Sequence, residues 1–273
     1  MREFMCSSHT VSGVMPGSAL ASRHRFEDRL EALEAAGYSG YWLHLRDYLE
    51  QKNMGLDDDR LRASFDRYGM RHRGVEFLTG WFLPGDAAAQ ETERAAFDAA
   101  KAIGASVVNA GADFTERGLP QKEMVAHFTA LCARAADRGL AIALEIVPWS
   151  NVPDVEAALD FLVPANAGLV IDCWHIFRGG VPLSELARIP PERVLCVQVS
   201  DAGARPIGPL AEDTMRRRLC GEGAFDLVGF AAALDRAGVS VPFSVEIISP
   251  EMAALPLDVA ARTSLAGARR LLS

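Results

Sequence analysis

IALEIVPW (142–149) is a short apolar run that contains a single carboxylate, Glu145. Three later segments share this design, a run of Val, Ile, Leu or Phe that ends on or near one polar residue. They are GLVIDCWH (168–175), VLCVQVSD (194–201) and FSVEIISP (243–250). Apolar runs of about 4–8 residues are typical of strands that are buried on both faces, as strands are in a parallel sheet. The four segments therefore predict parallel strands.

The rest of the chain repeats this pattern, with each strand-like run followed by a longer stretch rich in Ala, Leu and Arg. The predicted strands are 3–8, 40–45, 73–78, 105–109, 140–146, 167–172, 194–199 and 242–248. The predicted helices are 25–37, 57–69, 87–104, 122–139, 154–163, 182–189, 225–238 and 256–272. Eight alternations in 273 residues predict an α/β fold, a single-domain (β/α)8 barrel over residues 1–273. The main alternative is an open doubly wound sheet, but the first strand lacks the glycine-rich phosphate loop that would favour it.

The composition limits the classes of partner. A net charge of −8 argues against nucleic acid, because binding phosphates requires a basic surface. No apolar run approaches the roughly 18–20 residues that span a bilayer, and the N-terminus lacks the pattern of a signal peptide. The five cysteines are scattered without CxxC spacing, which argues against disulfides and zinc–thiolate sites. We therefore expect a cytoplasmic protein without membrane attachment, and a homo-oligomer is compatible with the sequence.

The polar residues of the last four predicted strands are the strongest candidates for chemistry, since strand C-termini face the active site of a barrel. They are Glu145, Asp172, Gln198 and Glu246. A carboxylate in an apolar strand is costly unless it is paired, and three converging carboxylates repel one another. A divalent cation would remove that repulsion, and oxygen ligands suit Mg, Mn and related ions. The alternative is that each acid pairs with an arginine or caps a neighbouring helix.

Other candidates lie at or just beyond strand ends, where substrate contacts belong. They are His44, Glu76, Asn109, Trp174, His175 and Arg205. His175 forms a DxxH pattern with Asp172 and is either a second ligand, a substrate contact or a loop histidine. Arg205 suits a substrate carboxylate or phosphate, and Trp174 suits the wall of a sugar site. For each softer candidate, a residue without chemistry is an equally good interpretation.

The C-terminal half of the chain resembles a known family. The similar stretches are ALEIVPWSNVPDVEAALDFL (143–162), GLVIDCWHIFRGG (168–180), VLCVQVSDA (194–202) and RRLCGEGAFDLVGFAAALDRAGVSVPFSVEIIS (217–249). They resemble the sugar phosphate isomerase/epimerase-like proteins of the xylose isomerase-like TIM-barrel superfamily, while the N-terminal half is similar in layout only. That superfamily includes inosose isomerases and dehydratases, ketose 3-epimerases, hydroxypyruvate isomerases, 3-dehydroshikimate dehydratases and endonuclease IV.

The resemblance implies one divalent metal ion (Mn, Mg, Co or Zn), held by Glu, Asp, His and Glu from strands five to eight. Glu145, Asp172 and Glu246 match three of these positions. Gln198 stands where the family usually has histidine, and an amide oxygen is a neutral and weaker ligand. The DxxH pattern also occurs in the superfamily and would place His175 beside the metal. Glu145 and Glu246 would in addition form the catalytic acid/base pair.

The function implied by the resemblance is an isomerase or epimerase of a small sugar-like or cyclitol substrate, in carbohydrate metabolism. One carboxylate would remove the proton next to a carbonyl, the metal would stabilise the enediolate, and a carboxylate would return a proton. A dehydratase of an inosose or dehydroshikimate type would need the same abstraction and then lose water. A non-catalytic barrel subunit is the third hypothesis, favoured by Gln198. The acidic balance and the six histidines, few of them at strand ends, disfavour a DNA-repair enzyme similar to endonuclease IV.

Overall fold

The computed structural model describes residues 2–115 and 118–272. Its parallel strands close into one barrel, in which each strand pairs with its neighbours in sequence and the first pairs with the last. The strands are β1 (Phe4–Ser7), β2 (Gly40–His44), β3 (His72–Leu78), β4 (Val107–Ala110), β5 (Ala141–Glu145), β6 (Ala167–Asp172), β7 (Val194–Val199) and β8 (Phe243–Val245). The predicted (β/α)8 barrel is confirmed, and every predicted strand overlaps an observed one.

Helices surround the barrel. Those formed by the described residues are α1 (Ser8–Val11), α2 (Phe26–Ala36), α3 (Leu45–Asn53), α4 (Asp58–Arg67), α5 (Ala87–Ile103), α6 (Gln121–Ala136), α7 (Val155–Leu159), α8 (Cys173–Arg178), α9 (Leu210–Asp213), α10 (Leu227–Arg236), α11 (Pro250–Ala254) and α12 (Leu257–Leu272). Short 3-10 turns occur at Leu183–Arg188, Pro191–Arg193 and Thr214–Arg216. Within the described part of the chain, no helix has the length and apolar character needed to cross a membrane.

Glycines end two of the long helices where the sequence predicts. Gly37 follows α2 with a φ of 99°, and Gly104 follows α5 with a φ of 72°. The Gly37 N–H donates to the carbonyl oxygens of Leu33 and Glu34, so it satisfies carbonyls that the helix leaves free. Only glycine adopts this left-handed backbone without a steric penalty from Cβ.

The interior of the barrel has its own small apolar core, separate from the large core between barrel and helices. It consists of Met5, Trp42, Ala143, Val170 and Cys196. The Trp42 ring fills space that would otherwise hold a side chain at residue 74, since a Cβ built on Gly74 would lie 2.2 Å from that ring. Side chains alternate along a strand, so the residues two positions further along point into the barrel as well, one layer closer to its C-terminal mouth.

Three short helices that the sequence did not predict begin directly after a strand: α1, α3 and α8. In two cases the last strand residue caps the helix. The His44 side chain accepts the N–H of Arg46 at 3.2 Å, and Asp172 Oδ1 accepts the N–H of Trp174 at 2.8 Å. α1 and α8 escaped prediction because 4 and 6 residues cannot display a 3.6-residue apolar period, and α3 has few apolar residues among its polar ones.

Three other predictions need correction. The helix predicted at 182–189 is a 3-10 turn, Leu183–Arg188, enclosed by Pro182 and Pro190. The helix predicted at 154–163 is confined to α7. The segment 201–222, for which the sequence predicts no helix or strand, contains α9 and the turn Thr214–Arg216, and an isolated bridge joins Asp201 to Arg218. Pro182 and Pro190 limit the first of these segments, because proline lacks the N–H that a helix interior requires.

Candidate active site

Each strand delivers one inward-facing polar side chain to the C-terminal mouth of the barrel, at or just after its last residue. Taken in strand order, these side chains are Ser7, His44, Glu76, Asn109, Glu145, Asp172, Gln198 and Glu246. All of these except Ser7 are residues that the sequence predicts at strand ends. Ser7 was missed because a small serine side chain, followed by a second serine, stands out less in the sequence than a carboxylate or an amide in an apolar strand. The mouth is therefore a polar layer on top of the apolar interior.

A cavity of about 240 Å³ opens above this layer and suits a small molecule. Its wall contains His9, His44, Glu76, Phe77, Asn109, Phe114, Glu145, Val147, Trp149, His175, Thr214, Arg217, Glu246 and Ile248. Asp172 and Gln198 lie below the wall and are buried. The cavity thus combines acids, histidines and aromatic rings, the mixture that small-molecule sites commonly present.

Glu145, Asp172 and His175 form a compact set of potential metal ligands. One ligand atom of each residue lies within 4.8 Å of the others. His175 Nε2 is 3.3 Å from Glu145 Oε1 and 3.6 Å from Asp172 Oδ2. The other Glu145 oxygen, Oε2, accepts a hydrogen bond from Asn109 Nδ2 at 3.2 Å, which orients the carboxylate. Nitrogen and carboxylate ligands of this kind bind divalent ions such as zinc or manganese.

Gln198 provides an independent test of whether a metal ion fits. It pairs with Asp172 in the register between β7 and β6, so the two side chains are neighbours in the layer. Its Oε1 is buried and has no hydrogen-bond partner among residues 2–115 and 118–272. A buried acceptor without a donor is costly, and a cation would satisfy it. The residues present therefore fit a divalent ion, with Gln198 or His175 as the ligand beside the three acids.

Arg217 is the main site residue that the sequence analysis missed. It is buried in the loop after β7, and its Nη1 donates to Asp172 Oδ2 at 2.7 Å and to Glu246 Oε2 at 2.9 Å. Burial lowers the pKa of Arg217, but these two carboxylates outweigh burial and leave the pKa raised. The arginine pairing given as the alternative for the strand-end acids is thus present for Asp172 and Glu246. The available signal was the run of three arginines at 216–218, since the loop after a barrel strand lies on the side of the active site.

A second arginine anchors the segment that carries Arg217. Arg178 Nε, on α8, donates to Asp213 Oδ2 at 2.9 Å, and both side chains are buried. The Trp174 ring is close to both guanidinium groups, with its centroid 5.6 Å from Arg178 Cζ and 5.4 Å from Arg217 Cζ. Trp174 is fully buried and is not part of the cavity wall, and Arg205 is exposed on the loop outside it. The structure therefore does not bring these two predicted contacts to the cavity.

Ser7 links two acids from distant parts of the chain. Its Oγ lies 2.6 Å from Glu76 Oε1 and 3.0 Å from Glu246 Oε1. Burial raises the pKa of Glu246 to about 7, although Arg217 opposes the shift. Burial and the charge of Glu246 raise the pKa of Glu76 well above its usual range. A single hydroxyl proton can serve only one of the two carboxylates, so the geometry suits a pair of acids that holds a proton.

Two histidines line the side of the cavity formed by the first strands. His9, on α1, and His44 meet edge to face with ring centroids 5.1 Å apart. Burial lowers the pKa of His9 to about 3, and burial also lowers the pKa of His44. Both rings are therefore neutral at neutral pH, and they offer hydrogen bonds rather than charge. His9 was missed because it follows the strand end, inside a helix too short to be predicted.

Comparison with known proteins places this architecture in a family. The model of the xylose isomerase-like TIM barrel family matches residues 30–271. The chain belongs to that family. The similarity confirms the relationship that the C-terminal motifs indicated, and it extends it into the N-terminal half.

Curated relatives include proteins of two reaction classes. The chain is 29% identical over 244 residues to a 3-dehydroshikimate dehydratase of Pseudomonas aeruginosa, covering 84% of this chain and 37% of that protein. It is 30% identical over 173 residues to an inosose isomerase of Bacillus subtilis, covering 60% of this chain and 62% of that protein. The chain thus spans less than two thirds of the length of either relative.

Solved structures show the same fold at lower identity. The IOLI protein with a bound zinc atom has a TM-score of 0.85 at 22% identity, with 100% of this chain and 98% of that chain covered. A D-allulose 3-epimerase from Methylomonas has a TM-score of 0.73 at 20% identity, with 99% of this chain and 97% of that chain covered.

Proposed function

We propose that this barrel is a metal-dependent enzyme that moves a proton on a carbon next to a carbonyl in a small, uncharged, sugar-like or cyclitol substrate, as an isomerase or epimerase. The observation that carries the proposal is the placement of two glutamates, Glu145 from β5 and Glu246 from β8, in the wall of one small cavity. Removal and return of a proton require a carboxylate that accepts it and a carboxyl that donates it. The names of the relatives agree with this class of reaction.

The cation that the mechanism requires would be held by Glu145, Asp172, Glu246 and either Gln198 or His175. When bound, a divalent ion stabilises negative charge that develops on a carbonyl oxygen. Zinc is supported by the zinc atom in the IOLI neighbour, while the oxygen-rich ligand set also suits manganese or magnesium.

The chain's own residues would act around that ion. Asn109 orients Glu145 by its hydrogen bond, which keeps one carboxylate oxygen in a fixed direction. Arg217 holds Glu246 through Oε2, so the other oxygen, Oε1, is left to Ser7 and the cavity. The aromatic residues Phe77, Phe114 and Trp149 are part of the cavity wall, where they would limit the access of water to the reacting carbon.

The charge of the cavity supports an uncharged substrate. Four carboxyl groups lie at the mouth: Glu76, Glu145, Asp172 and Glu246. Among the described wall residues, Arg217 is the arginine that faces them, and two of the four already bind it. A substrate phosphate or carboxylate would compete for this guanidinium, whereas the hydroxyl groups of a cyclitol match neutral histidines and carboxylates. An inosose satisfies these requirements.

A dehydratase is the second candidate, because the relative with 84% coverage of this chain is a 3-dehydroshikimate dehydratase. Dehydration begins with the same proton abstraction and continues with loss of a hydroxyl group, for which a protonated acid is needed. Glu76 and Glu246 are acids whose raised pKa values suit that second step. Its substrate carries a carboxylate, which the cavity charge disfavours.

Proton NMR in deuterated water distinguishes the candidates. The protein is incubated separately with scyllo-inosose and with 3-dehydroshikimate, in the presence of Mn²⁺ or Zn²⁺. Deuterium entering the carbon next to the carbonyl of the inosose, without loss of water, supports the isomerase or epimerase. New aromatic signals from dehydroshikimate support the dehydratase instead. If neither substrate changes with wild-type protein, and the Glu145→Gln control behaves identically, both candidates are wrong.

A further inference from the structure

A buried ion pair lies outside the barrel, behind the wall formed by the first strands. Arg29 on α2 and Asp47 on α3 are joined by two hydrogen bonds, Nη1–Oδ2 at 2.5 Å and Nη2–Oδ1 at 3.0 Å. Both side chains are almost completely buried. Desolvation offsets most of the attraction in such a pair, so stability alone does not account for it. Arg29 Nη1 also donates to Tyr41 Oη at 2.9 Å, which directs the pair toward the sheet.

The donor in each of the hydrogen bonds from Arg29 to Tyr41 and from Tyr41 to Ser8 follows from the protons that each group carries. Because a guanidinium only donates, Tyr41 Oη accepts from Arg29, and its own hydroxyl proton is left for Ser8 Oγ at 2.7 Å. Ser8 Oγ also accepts the backbone N–H of His44 at 3.2 Å. Both lone pairs of Ser8 Oγ are then occupied. The side chain of Ser8 is therefore held from two sides.

Ser8 also contacts a residue of the cavity wall, Glu76. Its backbone N–H donates to Glu76 Oε1 at 3.1 Å, the same oxygen that Ser7 Oγ contacts. The other oxygen, Glu76 Oε2, is buried and has no hydrogen-bond partner in the described ranges. The orientation of the Glu76 carboxyl thus depends on two consecutive serines, and Tyr41 holds one of them.

We propose that Tyr41 is a positioning residue of the active site. Its hydroxyl, directed by the Arg29–Asp47 pair, holds Ser8 so that the Ser8 N–H fixes the Glu76 carboxyl in the cavity wall. This inference rests on the proposed function for its activity readout and deepens it, because it makes Glu76 a third carboxyl that contacts the substrate. The buried ion pair would then contribute to the geometry of the site by directing the Tyr41 hydroxyl.

The test compares two tyrosines that make the same kind of bond. Tyr41→Phe removes the hydroxyl that holds Ser8. The matched control, Tyr38→Phe, removes an equally buried hydroxyl that lies 2.8 Å from Ser264 Oγ on α12, away from the cavity. With Mn²⁺ or Zn²⁺ and whichever of the two substrates is turned over, we expect Tyr41→Phe to lower kcat about tenfold with KM nearly unchanged, as for a loss of orientation. Tyr38→Phe should keep the wild-type kcat, and an equal loss in both variants would overturn the proposal.

A double-mutant cycle shows whether Tyr41 acts through Glu76. In a Glu76→Gln background, Tyr41→Phe should lower kcat no further, because the carboxyl that it positions has been replaced. A full additional tenfold loss in that background would mean that Tyr41 acts elsewhere. Thermal unfolding of the two single Tyr→Phe variants checks that they lose similar stability, so that a kcat difference reports on the site.

A spectroscopic readout keeps the proposal independent of the assumed reaction. If wild-type protein turns over neither substrate, the proposed function fails, and the side-chain carboxyl ¹³C spectrum of the full chain with Zn²⁺ decides the positioning. The Glu76 resonance is identified by its loss in Glu76→Gln. It should shift in Tyr41→Phe and stay in place in Tyr38→Phe at the same neutral pH. An unmoved Glu76 resonance in Tyr41→Phe overturns the inference.

Discussion

The two halves of the barrel mouth differ in their chemistry. Strands β5 to β8 contribute Glu145, Asp172, Gln198 and Glu246, whereas β1 to β4 contribute Ser7, His44, Glu76 and Asn109. The β5–β8 group surrounds Arg217 and the candidate metal position. The β1–β4 group offers neutral hydrogen-bonding groups and one acid, Glu76, whose pKa is strongly raised.

This difference in charge suits the two halves of the mouth to different tasks. Opposite charges concentrated on one side make that side suited to hold an ion and move protons. Uncharged donors and acceptors on the other side suit orientation of hydroxyl groups, because they attract a polyol without attracting ions. The bonds Ser7–Glu246 and Asn109–Glu145 join the halves, so orientation on one side is passed to the acids on the other.

Strands β5 to β8 form the reactive half of the mouth, and β1 to β4 form the neutral half. Replacing one acid in the reactive half should have the largest effect on turnover. We expect Glu145→Gln and Glu246→Gln each to lower kcat by about 10²–10⁴-fold, the usual contribution of a positioned acid or base. His44→Asn, from the other half, should raise KM more than it lowers kcat. Steady-state kinetics measures both effects, and far-UV circular dichroism confirms that the fold is intact. Near-normal activity in either glutamate variant would contradict the two-glutamate mechanism, and an equal kcat loss in His44→Asn would contradict the division between halves.

The reactive half was predictable because its signal is local. A single acid in an otherwise apolar strand, as at Glu145 or Asp172, is recognisable from neighbouring residues alone. The alternation of strands and helices then brings consecutive strand ends to one face, as the closed barrel confirms. The same reasoning located His44, Glu76 and Asn109, although it gave no reason to prefer them to residues without chemistry.

The residues that the sequence did not reveal depend on contacts between distant segments. Arg217 lies 45 positions from Asp172 and 29 from Glu246, in a loop whose path no periodicity predicts. Ser7 gains its importance only when the barrel closes and brings β1 between β2 and β8. His9 lies in a helix of four residues, which carries no periodic pattern. Pairing across the closure of a barrel is a property of the whole fold, so a local reading cannot supply it.

Replacing Gln198 tests whether this residue of the reactive half binds the metal ion, and the expected effect is smaller. We expect Gln198→His to tighten Zn²⁺ binding by about tenfold, or ~1.4 kcal/mol, since imidazole is the better zinc ligand. Gln198→Leu, which replaces the amide with an apolar side chain of similar size, should weaken binding. Isothermal titration calorimetry measures both. Unchanged affinity in both variants would mean that Gln198 does not contact the ion, and His175→Asn would then be the variant expected to lose affinity.

For the neutral half, the buried His9 leads us to predict a pH-dependent change in stability, which is the smallest of the expected effects. The pKa of His9 is about 3 in the folded protein and about 6.5 in an ordinary environment. Between these values the unfolded chain binds a proton at His9 that the folded protein does not, so stability is lost as pH falls below 6.5. Lowering the pH from 7 to 5.5 should reduce the free energy of unfolding of the wild type by about 1 kcal/mol. The His9→Asn variant should not show this loss. Urea unfolding of the two proteins with a chelator present measures that difference, since all other groups contribute equally to both. If His9→Asn showed the same pH dependence as wild type, His9 would accept a proton in the folded protein, and the wall formed by the first strands would carry charge after all.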